Sequence, residues 1–212
     1  MKYVGTYWRV LSPRIKKSLS NRYSKDYANE IMTKAQPIYK KLISEMEGMS
    51  PENPMSMYIY MPFTLLAVWS ASDKKISPDE LKDIMRDVVD WKPLKIACGM
   101  INMNTRLGIK IFGGMMHYAD KWTKRHPEDT NTWDFNFDEN LHKDGFYYHF
   151  TYCPLYDFCK NHGFEEINRA ICEMDTLTMS MMHSRLIRKN VLSEGGKMCD
   201  YWTIGDKIKE PQ

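Results

Sequence analysis

Asp144-Gly145-Phe146-Tyr147-Tyr148-His149-Phe150-Thr151-Tyr152-Cys153-Pro154 is the stretch that decides the class of fold. Asp-Gly is a turn dipeptide. The run behind it is dominated by aromatic residues and closed by a proline, which cannot donate to a sheet ladder. It reads as a β-strand over 146–153. Just upstream, Trp133, Phe135 and Phe137 alternate with polar residues and predict a first, short strand. Downstream, residues 155–162 predict a short helix stopped by Gly163. Residues 164–182 predict a longer helix with Ile167, Ile171, Met174 and Thr178 along one side. Residues 185–192 and 198–204 read as a third and a fourth strand, joined through the turn Glu194-Gly195-Gly196. The order β-β-α-α-β-β implies an antiparallel sheet with helices on one face, so the fold class is α+β.

Before residue 130 the period is helical. Leu11, Ile15 and Leu19 recur at helical spacing, with Ser12-Pro13 as the predicted cap and first helical residue. Residues 27–47 put Ile31, Ile38, Leu42 and Met46 on one stripe, with Pro37 as a kink. Residues 55–70 form an apolar helix around Phe63, Leu65, Leu66 and Val68. Ser77-Pro78-Asp79-Glu80 is a capping box, backed by Leu81, Ile84, Met85 and Val88. A further helical stretch spans 93–124 with a break near 102–104. The chain thus divides into a helical part, 1–129, and an α+β unit, 130–212, packed as one body.

The composition narrows the function. The 212 residues are 43% hydrophobic and 27% charged, with 10 prolines and 11 glycines. That excludes collagen-like, low-complexity and coiled-coil chains. No stretch nears the ~20 apolar residues of a membrane span. The best run, 61–69, contains Pro62, and basic residues interrupt the N-terminus where a secretory core would lie. The five cysteines, an odd number, therefore fit a reducing cytoplasm better than a disulfide framework. Net charge is +3, but residues 1–25 hold seven Lys or Arg and no acid. Such an arm suits a solvated helix face, a nucleic acid or an acidic membrane surface. No DNA-reading helix or base-stacking sheet accompanies it, so the expected partner is a small molecule, with no nucleic acid and no membrane. A homo-oligomer stays open. Methionine is abundant, 17 residues, which suits adaptable packing around a cavity as well as an ordinary core.

Phosphate-loop, dinucleotide, nucleophile-elbow and zincin motifs are all absent. What remains is a concentration of thiols and acids. Cys153, Cys159, Cys172 and Cys199 come with His149, Asp157, His162, Glu173, Asp175 and Asp200. The cysteine spacing is not that of a zinc finger or ribbon. Cys172 and Asp175 are three apart on a predicted helix and point one way. On the second strand Tyr147, His149, Thr151 and Cys153 share a face, and on the fourth Cys199, Tyr201 and Thr203 do. Three readings stay open: a divalent metal held by Cys153, Cys172 and Cys199, a nucleophilic thiolate, or inert buried thiols.

The pieces Cys153-Pro154-Leu155 with Asp157 and Gly163, Ile171-Cys172-Glu173-Met174-Asp175, Leu192-Ser193-Glu194-Gly195-Gly196 and Cys199-Asp200-Tyr201 resemble a family signature. It is that of the L-2-amino-thiazoline-4-carboxylic acid hydrolases, with Tyr201 where that pattern has Phe. A fainter resemblance links the unit to small ligand-binding domains of the 4-vinyl reductase type. The first resemblance implies hydrolytic opening of a 2-amino-thiazoline carboxylate to a carbamoyl-cysteine. The catalytic groups would then come from Cys172, Cys199, Asp175, Glu173 and Asp200. Substrate would be held by His149, Cys153, Arg185 and Arg188. The competing function is a cytoplasmic sensor or carrier for a small ligand, metal or haem, without catalysis.

Overall fold

The computed structural model describes residues 1–138, 140–209 and 211. Helices come first: α1 (Gly5–Arg22), α2 (Lys25–Glu45), α3 (Met57–Ala71), α4 (Pro78–Val89), α5 (Lys92–Gly99) and α6 (Arg106–Arg125). The expected α+β class holds. Strands β1 (Phe135–Asn136), β2 (Phe146–Phe150), β3 (Ser184–Ile187) and β4 (Cys199–Gly205) form one antiparallel sheet in the order β1-β2-β4-β3. Between β2 and β3 lie α7 (Pro154–Asn161), α8 (Glu165–Cys172) and α9 (Met174–Ser180).

Local signals explain three of the helix starts. Ser24 accepts the amide of Tyr27 and opens α2, while Thr105 accepts that of Gly108 and opens α6 after the expected break. Both halves of the Ser77–Glu80 capping box are formed at α4. Helix α1 departs from its expected start. It begins at Gly5, and Pro13 lies inside it. The burial of Trp8 and Leu11, five and two residues upstream of the proline, rewards extending the helix past the Ser12-Pro13 signal.

Helix α3 is apolar all round, and after its exposed first turn, Met57 and Tyr58, it is almost wholly buried. It joins the two parts of the chain. Phe63 meets Phe158 of α7 at 4.5 Å between ring centroids, and Trp69 meets Phe164 at 5.9 Å. Such aromatic pairs add about 0.5–1.5 kcal/mol each beyond the area they bury.

Three expected elements are shorter than their sequence patterns. Strand β1 keeps two residues, because Asp134 turns back to accept the amides of Thr151 and Tyr152. That same contact ends β2 at Phe150, so Cys153 belongs to the cap of α7 and not to the strand. The third strand stops at Ile187. The Asp200 carboxylate then takes the amides of Lys189 and Asn190, and a 3-10 turn follows at Leu192–Glu194. The long helix expected over 164–182 breaks at Glu173 into α8 and α9.

The register fixes the two sheet faces. Tyr148 pairs with Tyr201, Phe150 with Cys199, and His149 with Asp200. Cross-strand partners lie on one side and neighbours alternate, so Cys199, Tyr201, Tyr148 and Phe150 share one face. His149 and Asp200 share the other.

Candidate active site

The break at Glu173 allows the end of α8 and the start of α9 to meet the face that carries Tyr201. Asp175, in the first turn of α9, accepts two hydrogen bonds on the same oxygen. Arg188 Nη2 donates at 2.5 Å and the Tyr201 hydroxyl at 2.8 Å. The Arg188 guanidinium lies over the Tyr201 ring, 4.0 Å from its centroid. On its other side the Tyr201 ring stacks on Tyr148, 4.9 Å between centroids and 13° from parallel. Arg188 Nη1 reaches the Cys172 carbonyl at 3.4 Å. The pair is largely withdrawn from water, with side-chain exposures of 13% for Arg188 and 25% for Asp175. Burial works against the Arg188 charge, but Tyr201 and Asp175 outweigh it and hold the guanidinium firmly protonated. Its Nε is buried without a hydrogen-bond partner.

Two thiols, Cys172 and Cys199, border this pair, and a third, Cys153, lies within electrostatic reach of both. The 3-10 turn draws two of them together. Leu192 N–H donates to Cys199 Sγ at 3.3 Å, and the adjacent Ser193 hydroxyl donates to Cys172 Sγ at 3.6 Å. Cys153 is the N-cap residue of α7 and lies within electrostatic reach of Cys172 and Cys199. Burial pushes all three thiols up. Cys172 reaches about 12, first through burial and then through the Asp175 charge, against the opposing Ser193 bond and Arg188. At neutral pH the resting site therefore holds thiols, not thiolates. Tyr58, at the start of α3, lies within charge reach of Asp175 and Tyr148. Its ring is partly exposed, while burial raises its hydroxyl to about 12.

The structure thus gathers Cys153, Cys172, Cys199, Asp175 and Arg188. It does not gather the other residues singled out from sequence. Glu173 turns away to Lys82 of α4 at 2.9 Å. It lines a separate groove of about 400 Å³ with Met85, Arg86 and Leu177, which no thiol lines. Asp200 and His149 occupy the opposite sheet face, where Asp200 fastens the chain after β3 and His149 faces Asp138 at 3.5 Å. Arg185 is exposed and donates to the Ile208 carbonyl. Cys159 is fully buried on α7. Among the described residues, no group of three or more His, Cys, Asp or Glu side chains is placed to hold a metal ion. Tyr148, Tyr58 and Ser193 also lie at this site without a sequence pattern that marks them for it. Pairing the strands in register would have found Tyr148 opposite Tyr201, but no local pattern points to Tyr58.

The family model for L-2-amino-thiazoline-4-carboxylic acid hydrolase matches residues 55–203, which is most of the chain and spans every member of this cluster. The chain belongs to that family. No curated protein and no solved structure matches it. The thiazoline-carboxylate hydrolase model begins just before α3, so the match takes in Tyr58 and the apolar helix that joins the two parts of the fold. Helices α1 and α2 lie outside the matched span, although Ile15, Leu19 and Tyr39 are wholly buried in the common core.

Proposed function

We propose that this site hydrolyses a small cyclic amidine carrying a carboxylate, a 2-amino-thiazoline-4-carboxylate-like ring, to a carbamoyl-cysteine-like product. The observation that carries the reading is the Arg188–Asp175 pair, withdrawn from water and bordered by thiols. Such a substrate is a zwitterion. Its carboxylate suits the planar fork of Arg188, and its amidinium N–H groups suit the Asp175 carboxylate. Each partner would exchange one opposite charge for another, so neither is left unpaired.

The exchange also bears on the thiol. The Asp175 charge helps to hold Cys172 protonated. An amidinium on Asp175 offsets that charge and favours the thiolate. Cys172 Sγ then adds to C2 of the ring. The C2–S bond breaks, its electron pair goes to the ring sulfur, and that sulfur takes the proton that Cys172 gave up. Water adds to the resulting isothiourea carbon and expels Cys172 as thiolate, leaving a carbonyl oxygen at that carbon. The balance is one water consumed and one C–S bond opened. Ser193 and the Leu192 amide are the donors nearest the sulfurs.

The test is turnover of 2-amino-thiazoline-4-carboxylate by the purified chain, followed as free thiol released. Activity is expected, with a loss of about 10²-fold or more in Cys172→Ala and in Arg188→Ala. Mass spectrometry of a rapidly quenched reaction should find one substrate mass added at Cys172. Absence of turnover in a correctly folded preparation would reject the hydrolase reading. Turnover that survives Cys172→Ala would reject the thiol route.

A further inference from the structure

Two departures from an ordinary protein surface coincide in one segment. Six large hydrophobic side chains of α5, its C-terminal boundary and α6 stand exposed: Ile96, Met100, Leu107, Ile111, Met115 and Tyr118. Met100 is 76% exposed and Leu107 69%. Leu107, Ile111, Met115 and Tyr118 follow helical spacing and form one continuous stripe along α6. The opposite side of α6, with Phe112, Met116 and Ala119, faces the core, so the stripe is not needed for packing within the chain. Helix α5 has no buried residue at all. Gly114 stands beside the stripe with nothing within 4 Å, so that side of the helix is open.

The same segment is basic. Lys92, Lys95, Arg106, Lys110, Lys121, Lys124 and Arg125 fall within residues 92–125, against the single acid Asp120. Asp120 is buried and pairs with Lys124 at 2.7 Å. On a 100° helical wheel Lys110 and Lys121 border the stripe on its solvent side, and Arg125 continues it at the C-terminal end.

We propose that α6, with the exposed end of α5, is a docking face for an anionic lipid surface. Among the described residues no helix is long and apolar enough to cross a membrane, but lying on one requires only an apolar stripe flanked by Lys and Arg. Charge decides between the occupants. A second copy crossing α6 against α6 would bring Arg106 and Lys110 near Lys121 and Arg125, basic against basic. A nucleic acid would satisfy the charges and leave the stripe in water. Anionic headgroups over acyl chains satisfy both. Tyr118 and Trp122, each with an apolar ring and a polar edge, suit the headgroup boundary.

The test is co-sedimentation of the full chain with vesicles of phosphatidylcholine alone or with about 30% phosphatidylglycerol, at low and at high salt. Binding is expected only to the anionic vesicles and should fall with salt. The Leu107→Ser/Met115→Ser and Lys110→Ala/Lys121→Ala variants should each lower it about tenfold or more. All altered side chains lie on the solvent side, so thermal melts should match the parent. Failure to bind anionic vesicles at low salt overturns the proposal. So does binding that the Leu107→Ser/Met115→Ser variant leaves intact, which would be charge attraction alone. Association with duplex DNA in place of vesicles, or a dimer dissolved by the same substitutions, also overturns it.

Discussion

Arg188 and Tyr201 converge on a single oxygen: both donate to Oδ2 of Asp175, while the guanidinium lies across the Tyr201 ring. The ring and the hydroxyl of Tyr201 therefore do separable work. Tyr201→Phe keeps the cation–π contact and removes one charge-assisted hydrogen bond. We expect a loss of about 1.5–3 kcal/mol in urea unfolding, with turnover kept within a few-fold. Phe is the residue of the resembling pattern at this position. Abolished turnover in a folded variant would make the hydroxyl a chemical participant.

Asp175→Asn should behave differently. Arg188 would be left largely buried without its anion, at a cost of about 3 kcal/mol, or a fall of roughly 6–12 °C in melting temperature. Turnover per folded molecule should be lost as well, because the amidinium loses its counter-charge. Calorimetry and activity assays on one preparation separate the two effects. Lost stability with full specific activity would make the pair purely structural.

Cys159 and Cys172 provide an internal contrast. Cys159 is fully buried on α7, whereas Cys172 is partly exposed and takes the Ser193 hydroxyl. Cys159→Ala should cost about 1–2 kcal/mol and spare specific activity, and Cys172→Ala should do the reverse. The reverse pattern in the data would exchange their roles.

The raised thiols make stability depend on alkaline pH. Cys172 goes from an ordinary value of 9.0 to about 12 on folding, so between those values the native state holds more protons than the unfolded chain. Its contribution is complete below pH 9 and is lost as pH rises toward 12. Cys153, Cys199, Tyr148 and Tyr201 are shifted the same way, by burial first. Melting temperature should therefore fall steadily above about pH 9, and less steeply in Cys172→Ala. A flat profile from pH 9 to 11 would show that the thiols titrate normally.

The elements whose signals are local were legible in the sequence. Ser77-Pro78-Asp79-Glu80 contains its own start signal, and the aromatic run from Phe146 announces a strand without help from the rest of the fold. Elements that end on a distant partner were not. Nothing near Phe150 tells that Asp134 will cap the next two amides, and nothing near Ile187 tells that Asp200 will fold the chain away. The site was half legible for the same reason. Cys172 and Asp175 are close in sequence, but the face on which Asp200 lies depends on register. Period-two alternation sends Asp200 away from Cys199 once Phe150 is set opposite Cys199. Arg188 falls within the stretch that reads as a strand, 185–192, but β3 ends at Ile187 and the chain beyond it is irregular.

The all-round apolar helix α3 also has a consequence for synthesis. Phe63 leaves the ribosome 95 residues before Phe158, the ring that covers it. At about 5–20 residues per second, that leaves the bare segment waiting for roughly 5–20 s. Helices α1 and α2 emerge earlier and can shield one side during that interval, with Tyr39 hydrogen-bonded to the Tyr60 carbonyl. The side that meets Phe158 and Phe164 has no cover from them until the β2–α7 connection has been made. Nascent chains paused between residues 71 and 158 should therefore recruit a holding chaperone, and chains released beyond Phe164 should let it go.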